Sequence, residues 1–303
     1  MSPRECRFSG SDVTLCYFDW GDSTASRTVL LFHATGFHAR CWDQVIAALP
    51  PDVRAIAVDL RGHGRSEKRA PYTWSSIAGD LVELTRSLEL HGAVGVGHSM
   101  GGHCLVQVAH ALPASFSHLI LVDPVIMPPE VYGLRGRHAF DNVEDHPVAR
   151  RRGIWTGWRE MFDRFVERHP YSLWRREVLE DYCRHGLLPL SDGTFSLACP
   201  PEVEASIYMA NATTNVYDLI PEVEVPVTVM RARTRDFSAP ATAEARMDFS
   251  TSPTWPGLAA AFPHGEDLYL PELTHFMPMQ EPQMLAARIV AAFESTKVAG
   301  SGR

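Results

Sequence analysis

The strongest constraint on what this chain can fold into is a rhythm. Short β-branched runs alternate with longer amphipathic stretches through the first 122 residues: Val13 to Trp20, Thr28 to Phe32, Arg54 to Val58, Ala93 to Val96 and Leu119 to Val122. Strand, helix and strand in succession build a mostly parallel sheet covered by helices on both faces. Helical periodicity over about 40–49, 74–89 and 99–112 supplies the crossovers, the last with Leu105, Val106, Ala109 and Leu112 on one face.

After Val122 the rhythm stops. Asp123-Pro124 and Pro128-Pro129 lead into helices and loops in which Trp155, Trp158, Phe162 and Phe165 recur at helical spacing and Ser191-Asp192-Gly193 marks a hairpin turn. Strands resume at Val227 to Met230 and Asp267 to Leu270, and a helix over about 281–294 closes the pattern. Residues 237–263 are rich in Ala, Pro, Ser and Thr and admit only a short helix at Leu258 to Ala261; 295–303 are expected to fray. The expected organisation is a core of residues 1–123 and 224–303 interrupted by an inserted cap at 124–223.

Composition removes several classes of function. With 303 residues, 45% of them hydrophobic, the chain can bury a full core. A net charge of −8, with no Lys/Arg run interleaved with aromatics, disfavours nucleic acid as a partner. The opening residues, Met1 to Phe8, lack a secretory apolar run, and no stretch approaches the ~20 apolar residues of a membrane span. A soluble, cytoplasmic protein is expected. The six cysteines have neither disulfide-framework nor zinc-like spacing, so no metal is expected.

Chemistry concentrates at Gly97-His98-Ser99-Met100-Gly101-Gly102, a GxSxG sequence that follows an apolar strand and opens a helix. So tight a turn brings the backbone two residues either side of the serine too close for Cβ atoms, which Gly97 and Gly101 lack. The turn points Ser99 out of the sheet and leaves the Met100 N–H at a helix start, where it can donate to a developing oxyanion. A serine nucleophile needs a histidine base and a carboxylate to orient it. His275 follows the last strand and precedes the closing helix, at the edge of the sheet that carries Ser99. Asp236, just beyond the Val227 to Met230 strand, is the first choice of acid, and Asp123-Pro124, at the end of an earlier strand, is the rival. The second oxyanion donor belongs to His33-Ala34-Thr35-Gly36-Phe37: the Thr35 N–H, or Ala34 if the loop sits one residue differently. His33 is assigned to fixing that loop, and Asp59 to Ser66 to pinning a sharp turn.

Taken together, Phe32 to Phe37, Asp59 to Ser66, Gly97 to Gly102, Asp236 and His275 resemble the α/β-hydrolase superfamily, covering nearly all of the core in the family's order. The overall layout, with its cap, is similar to the epoxide-hydrolase-like branch. The resemblance implies an eight-stranded α/β sheet, a mainly helical cap after the sixth strand, a Ser99/Asp236/His275 triad and no cofactor. One departure is His33-Ala34 where the family commonly has His-Gly. A second is Ser99 where relatives that cleave epoxides or haloalkanes carry aspartate, which directs the chemistry to acyl transfer.

The aromatic and Met-rich insert (Met161, Trp174, Tyr182, Tyr208, Met209 and Tyr217 besides those named) implies an apolar substrate, with Phe37, His98, Trp155, Trp158 and Phe276 as candidate contacts. Arg150, Arg151 and Arg152 are expected on a solvated helix surface. The function expected is a serine hydrolase acting with water on a small to medium, largely apolar ester, lactone or thioester. Carbon–carbon bond hydrolysis by the same triad, which needs an inward-facing cap arginine, and a non-turnover small-molecule receptor are the alternatives.

Overall fold

The computed structural model describes residues 2–130, 140, 142–210, 214–237 and 248–300. Eight strands form one sheet in the order β1-β2-β4-β3-β5-β6-β10-β11. They are β1 (Arg4–Ser9), β2 (Thr14–Trp20), β3 (Arg27–Phe32), β4 (Val53–Asp59), β5 (Ala93–His98), β6 (Phe116–Val122), β10 (Val227–Arg231) and β11 (Gly265–Tyr269). The first two strands pair antiparallel with each other, and β2 pairs antiparallel with β4; every later pairing is parallel. β1 escapes the periodicity argument because it is an edge strand. Its charged Arg4, Glu5 and Arg7 protect an open edge and leave it no apolar run.

Helices α1 (Asp43–Ala47) and α9 (Pro282–Gly300) cover one face of the sheet, and α2 (Trp74–Ser87) and α3 (Met100–Ala111) the other. Thr73 caps α2 by accepting the Ser76 N–H at 3.1 Å. The short helix α7 (Leu258–Ala261) forms as expected, and α8 (Met277–Gln280) precedes α9. α9 continues past Ser295 to Gly300, where a frayed tail was expected, and 301–303 lie outside the described residues. Among the described residues no helix is long and apolar enough to cross a membrane.

Between β6 and β10 the chain leaves the sheet and builds α4 (Trp158–Phe165), α5 (Arg176–His185), α6 (Pro201–Ala210) and a small antiparallel sheet, β7 (Ile154–Trp155), β9 (Phe195–Leu197) and β8 (Leu187–Pro189) in that order. β8 and β9 are the two arms of the hairpin at Ser191-Asp192-Gly193, where Gly193 has φ +83°. Trp155, Met161, Phe162, Trp174, Val178 and Tyr182 pack together here, and Phe276 of the core joins them. Trp174, Tyr182 and Phe276 of this cluster line one cavity with Ser99 and His275.

Candidate active site

Parallel register brings three strand ends together. The residues after β5, β6 and β11 fall at one edge, and the chemistry-bearing side chains sit in those connections. Ser99 occupies the turn from β5 into α3 at φ 56°, ψ −117°. A non-glycine residue in this region costs on the order of 1–3 kcal/mol and persists only where its surroundings enforce it. They do so here: a Cβ on Gly97 would lie 2.5 Å from the Gly101 carbonyl oxygen, and one on Gly101 would lie 2.7 Å from that of His33. The Ser99 N–H is tied to the Val122 carbonyl at 3.0 Å, fixing the turn to β6.

His275 Nε2 stands 3.0 Å from Ser99 Oγ, and its Nδ1 is 2.6 Å from Asp123 Oδ2. The acid beside the histidine is therefore Asp123, and the expectation of Asp236 is corrected. Asp123 directly follows β6 and its N–H donates to the Met230 carbonyl at 2.7 Å, whereas Asp236 is exposed, five residues beyond the end of β10. Asp123 Oδ1 accepts the Ala232 N–H at 3.0 Å and the Ser252 hydroxyl at 2.5 Å. Burial pushes the Asp123 carboxyl up, but the hydrogen bond and charge of His275, then Ser252 and Ala232, outweigh it and hold the group below its usual range.

The His275 loop is anchored from behind. His98 Nε2 donates to the His275 carbonyl at 2.8 Å, and the His275 N–H donates to the Phe249 carbonyl. Burial first, and the charge of His275 second, push His98 down to about 3, so its imidazole is a neutral strut. It does not line the cavity above Ser99, contrary to the expectation of a substrate contact.

A comparable strut fixes the loop after β3. His33 Nε2 accepts the Leu60 N–H and His63 Nε2 accepts the Gly36 N–H, both at 3.0 Å, so the two imidazoles stitch this loop to the Asp59–Ser66 turn. Asp59 holds that turn by accepting the Ala39 N–H at 2.7 Å and the Arg65 N–H at 2.8 Å. The Phe37 N–H is taken by the Ala34 carbonyl. Among the described residues, the N–H groups of Ala34 and Thr35 have no acceptor, and both residues line the cavity with Ser99.

That cavity has a volume of about 190 Å³ and reaches from Ser99 and His275 to the cap. Phe37, Phe249 and Phe276 form its apolar side, with Trp174 above them. Trp155 and Trp158 do not line it: Trp155 is buried in the cap's own core and Trp158 packs at that core's margin. Arg151 does line it, where a solvated surface was expected. Its guanidinium meets Glu204 at 2.8 Å, and the Glu204 side chain is only 4% exposed. Burial opposes both charges; Glu204 holds Arg151 protonated, while burial outweighs Arg151 and pushes the Glu204 carboxyl up. The same carboxylate closes over the loop after β3, where a Cβ on Gly36 would lie 2.7 Å from Glu204 Cδ. Arg150 and Arg152 sit at the surface as expected. Arg151 and Glu204 were missed because nothing in their flanking sequence distinguishes an inward arginine from its two exposed neighbours.

Asp43, Asp181 and His185 are a group of metal-type donors lying within 4.8 Å of one another among the described residues. Asp43 is satisfied by Arg40 at 2.9 Å and Asp181 accepts from Gln44 at 2.7 Å.

Comparison with known proteins agrees with this architecture. A family model described as alpha/beta hydrolase family matches residues 29–288. Sequence relatives include a non-heme chloroperoxidase of Streptomyces lividans, 38% identical over 119 residues (38% of this chain and 43% of that one). A lipase of Mycobacterium tuberculosis is 36% identical over 107 residues, 35% of this chain and 40% of its own. The chain spans well under half the length of such relatives, down to 28%. Among solved structures, E-2-(acetamidomethylene)succinate hydrolase superposes with a TM-score of 0.73 at 20% identity, covering 96% of this chain and 99% of that one. An enol-lactonase from Burkholderia xenovorans gives 0.64 at 20% identity, with 95% and 100% covered. At these identities the structural neighbours show the fold.

Proposed function

The chain belongs to the alpha/beta hydrolase family, and from that premise we propose that it is a serine hydrolase of small to medium carboxylic esters, lactones or thioesters. The observation that carries the reading is the continuous line from Ser99 Oγ through His275 to the buried Asp123 carboxylate, at 3.0 and 2.6 Å. Ser99 attacks the carbonyl carbon while His275 Nε2 takes its proton, and Asp123 fixes the tautomer with Nδ1 protonated. The N–H of Met100, at the start of α3, and that of Thr35 hold the oxyanion; Ala34 is the alternative to Thr35. His275 then protonates the leaving group, and water, deprotonated by the same imidazole, cleaves the acyl-enzyme. Phe37 and Phe276 contact the apolar part of the substrate.

Arg151 in the cavity wall favours a second reading, hydrolysis of a carbon–carbon bond in a diketone-like acid by the same three residues. Its pairing with Glu204 counts against it, because the cation is already neutralised. The test is turnover of p-nitrophenyl esters of increasing acyl length by the protein and by Ser99→Ala. Turnover lost in Ser99→Ala supports the ester reading. Equal rates for the two proteins on every ester overturn it and leave the carbon–carbon reading ahead.

A further inference from the structure

The cap holds a second cavity, of about 430 Å³, that adjoins the Ser99 cavity. Arg151, Tyr171 and Tyr182 belong to both. The second cavity is lined in addition by Arg152, Arg164, Arg168 and His169, and no Asp or Glu is among its lining residues. Two of these guanidiniums have counter-charges: Arg151 meets Glu204, which faces the Ser99 cavity, and Arg152 meets Glu160 at 2.7 Å. Among the described residues, none makes a side-chain hydrogen bond or ion pair with Arg164 or Arg168. Their acidic sequence neighbours, Asp163 and Glu167, are exposed and stand outside the lining.

An arginine pair on open surface is simply solvated, but this pair borders a concave site floored by Trp155, Met161 and Phe165. Low-dielectric walls concentrate the field of like charges into the cleft and raise the local concentration of anions. Guanidinium groups also match the oxygens of phosphate and carboxylate groups two at a time. We propose that this cavity is an anion-binding site for the non-reacting end of the substrate, a terminal phosphate or carboxylate. The substrates are thus esters or thioesters with an anionic tail, and the tail lies among Arg164 and Arg168. The substrate part of this inference rests on the hydrolase reading; the anion site itself does not.

Both arms use the intact protein. Calorimetric titration of the Ser99→Ala protein with inorganic pyrophosphate, and separately with glutarate, measures the site without turnover; pyrophosphate alone binding points to phosphate tails, glutarate to carboxylates. Arg164→Ala/Arg168→Ala in the same background, at two exposed positions, is expected to weaken the bound anion about tenfold or more, the loss of one hydrogen bond to a charged group. In the otherwise unaltered enzyme the same pair of substitutions is expected to raise KM about tenfold for mono-p-nitrophenyl glutarate with kcat unchanged, and to leave p-nitrophenyl butyrate untouched. No binding of either anion, or equal binding after substitution, overturns the site. Binding lost on substitution with both esters unaffected overturns its link to substrate. Hydrolysis of neither ester alongside substitution-sensitive anion binding refutes the hydrolase reading while the anion site stands.

Discussion

Replacing Asp123 with Asn separates the two candidate acids. The carboxylate is fully buried, and its Oδ2 accepts from His275 Nδ1 at 2.6 Å while Oδ1 accepts from Ala232 and Ser252. The amide preserves volume and can keep its oxygen toward Ala232 and Ser252, so its NH₂ then faces His275. Nδ1 must become an acceptor, the proton moves to Nε2, and the imidazole can no longer take the Ser99 proton. In serine proteases the equivalent change lowers kcat by about 10⁴, which is about 5.4 kcal/mol of transition-state stabilisation. The expectation is a fall of that order in kcat for the best p-nitrophenyl ester, with KM little changed and the melting temperature retained. Asp236→Asn, at an exposed position, is expected to keep wild-type kcat within about twofold. Activity above a tenth of wild type in Asp123→Asn, or a large loss in Asp236→Asn, refutes the assignment.

Gly97→Ala puts a methyl group 2.5 Å from the Gly101 carbonyl oxygen and is expected to cost about 1–3 kcal/mol in urea unfolding; an unchanged midpoint would show the elbow to be looser than described. Arg151→Met leaves Glu204 buried without its partner and is expected to destabilise by about 3 kcal/mol, whereas Arg151→Met/Glu204→Met recovers most of the loss, as a double-mutant cycle would reveal. Buried histidines are expected to make the fold acid-labile: burial pushes His33 and His103 down to about 4, His98 to about 3 and His63 well below its usual value. Since the unfolded chain takes up protons near pH 6.5 that the folded one refuses, stability is complete above that pH. Below it, about 1.4 kcal/mol is lost per histidine per pH unit until each folded value is reached. Urea midpoints measured from pH 7.5 to 5 should fall steeply, and a flat profile would contradict the neutral struts.

Much of this architecture is legible in the chain because it is carried by local signals. The apolar runs from Thr28 to Phe32 and Ala93 to Val96 can only be interior strands, and Gly97 and Gly101 flanking Ser99 mark one kind of turn. The acid was harder. An aspartate before proline at a strand end has the same local appearance whether it initiates a turn or orients a histidine. The difference lies in β6 pairing with β10, which brings Ala232 N–H to Asp123 across 109 residues. The cap was legible as aromatic but not in its facing. Arg150, Arg151 and Arg152 are chemically alike, and only the position of Glu204 on α6 turns the middle one inward. Edge strand β1 was silent because its charges serve solvent exposure rather than burial.

Active-site labelling asks whether Ser99 is the nucleophile. Incubation with a fluorophosphonate, followed by intact-protein and peptide mass spectrometry, is expected to give one adduct per chain, located on Ser99, formed slowly in His275→Ala and absent in Ser99→Ala. An unlabelled protein, or an adduct that persists in Ser99→Ala, would show that Ser99 is not the nucleophile.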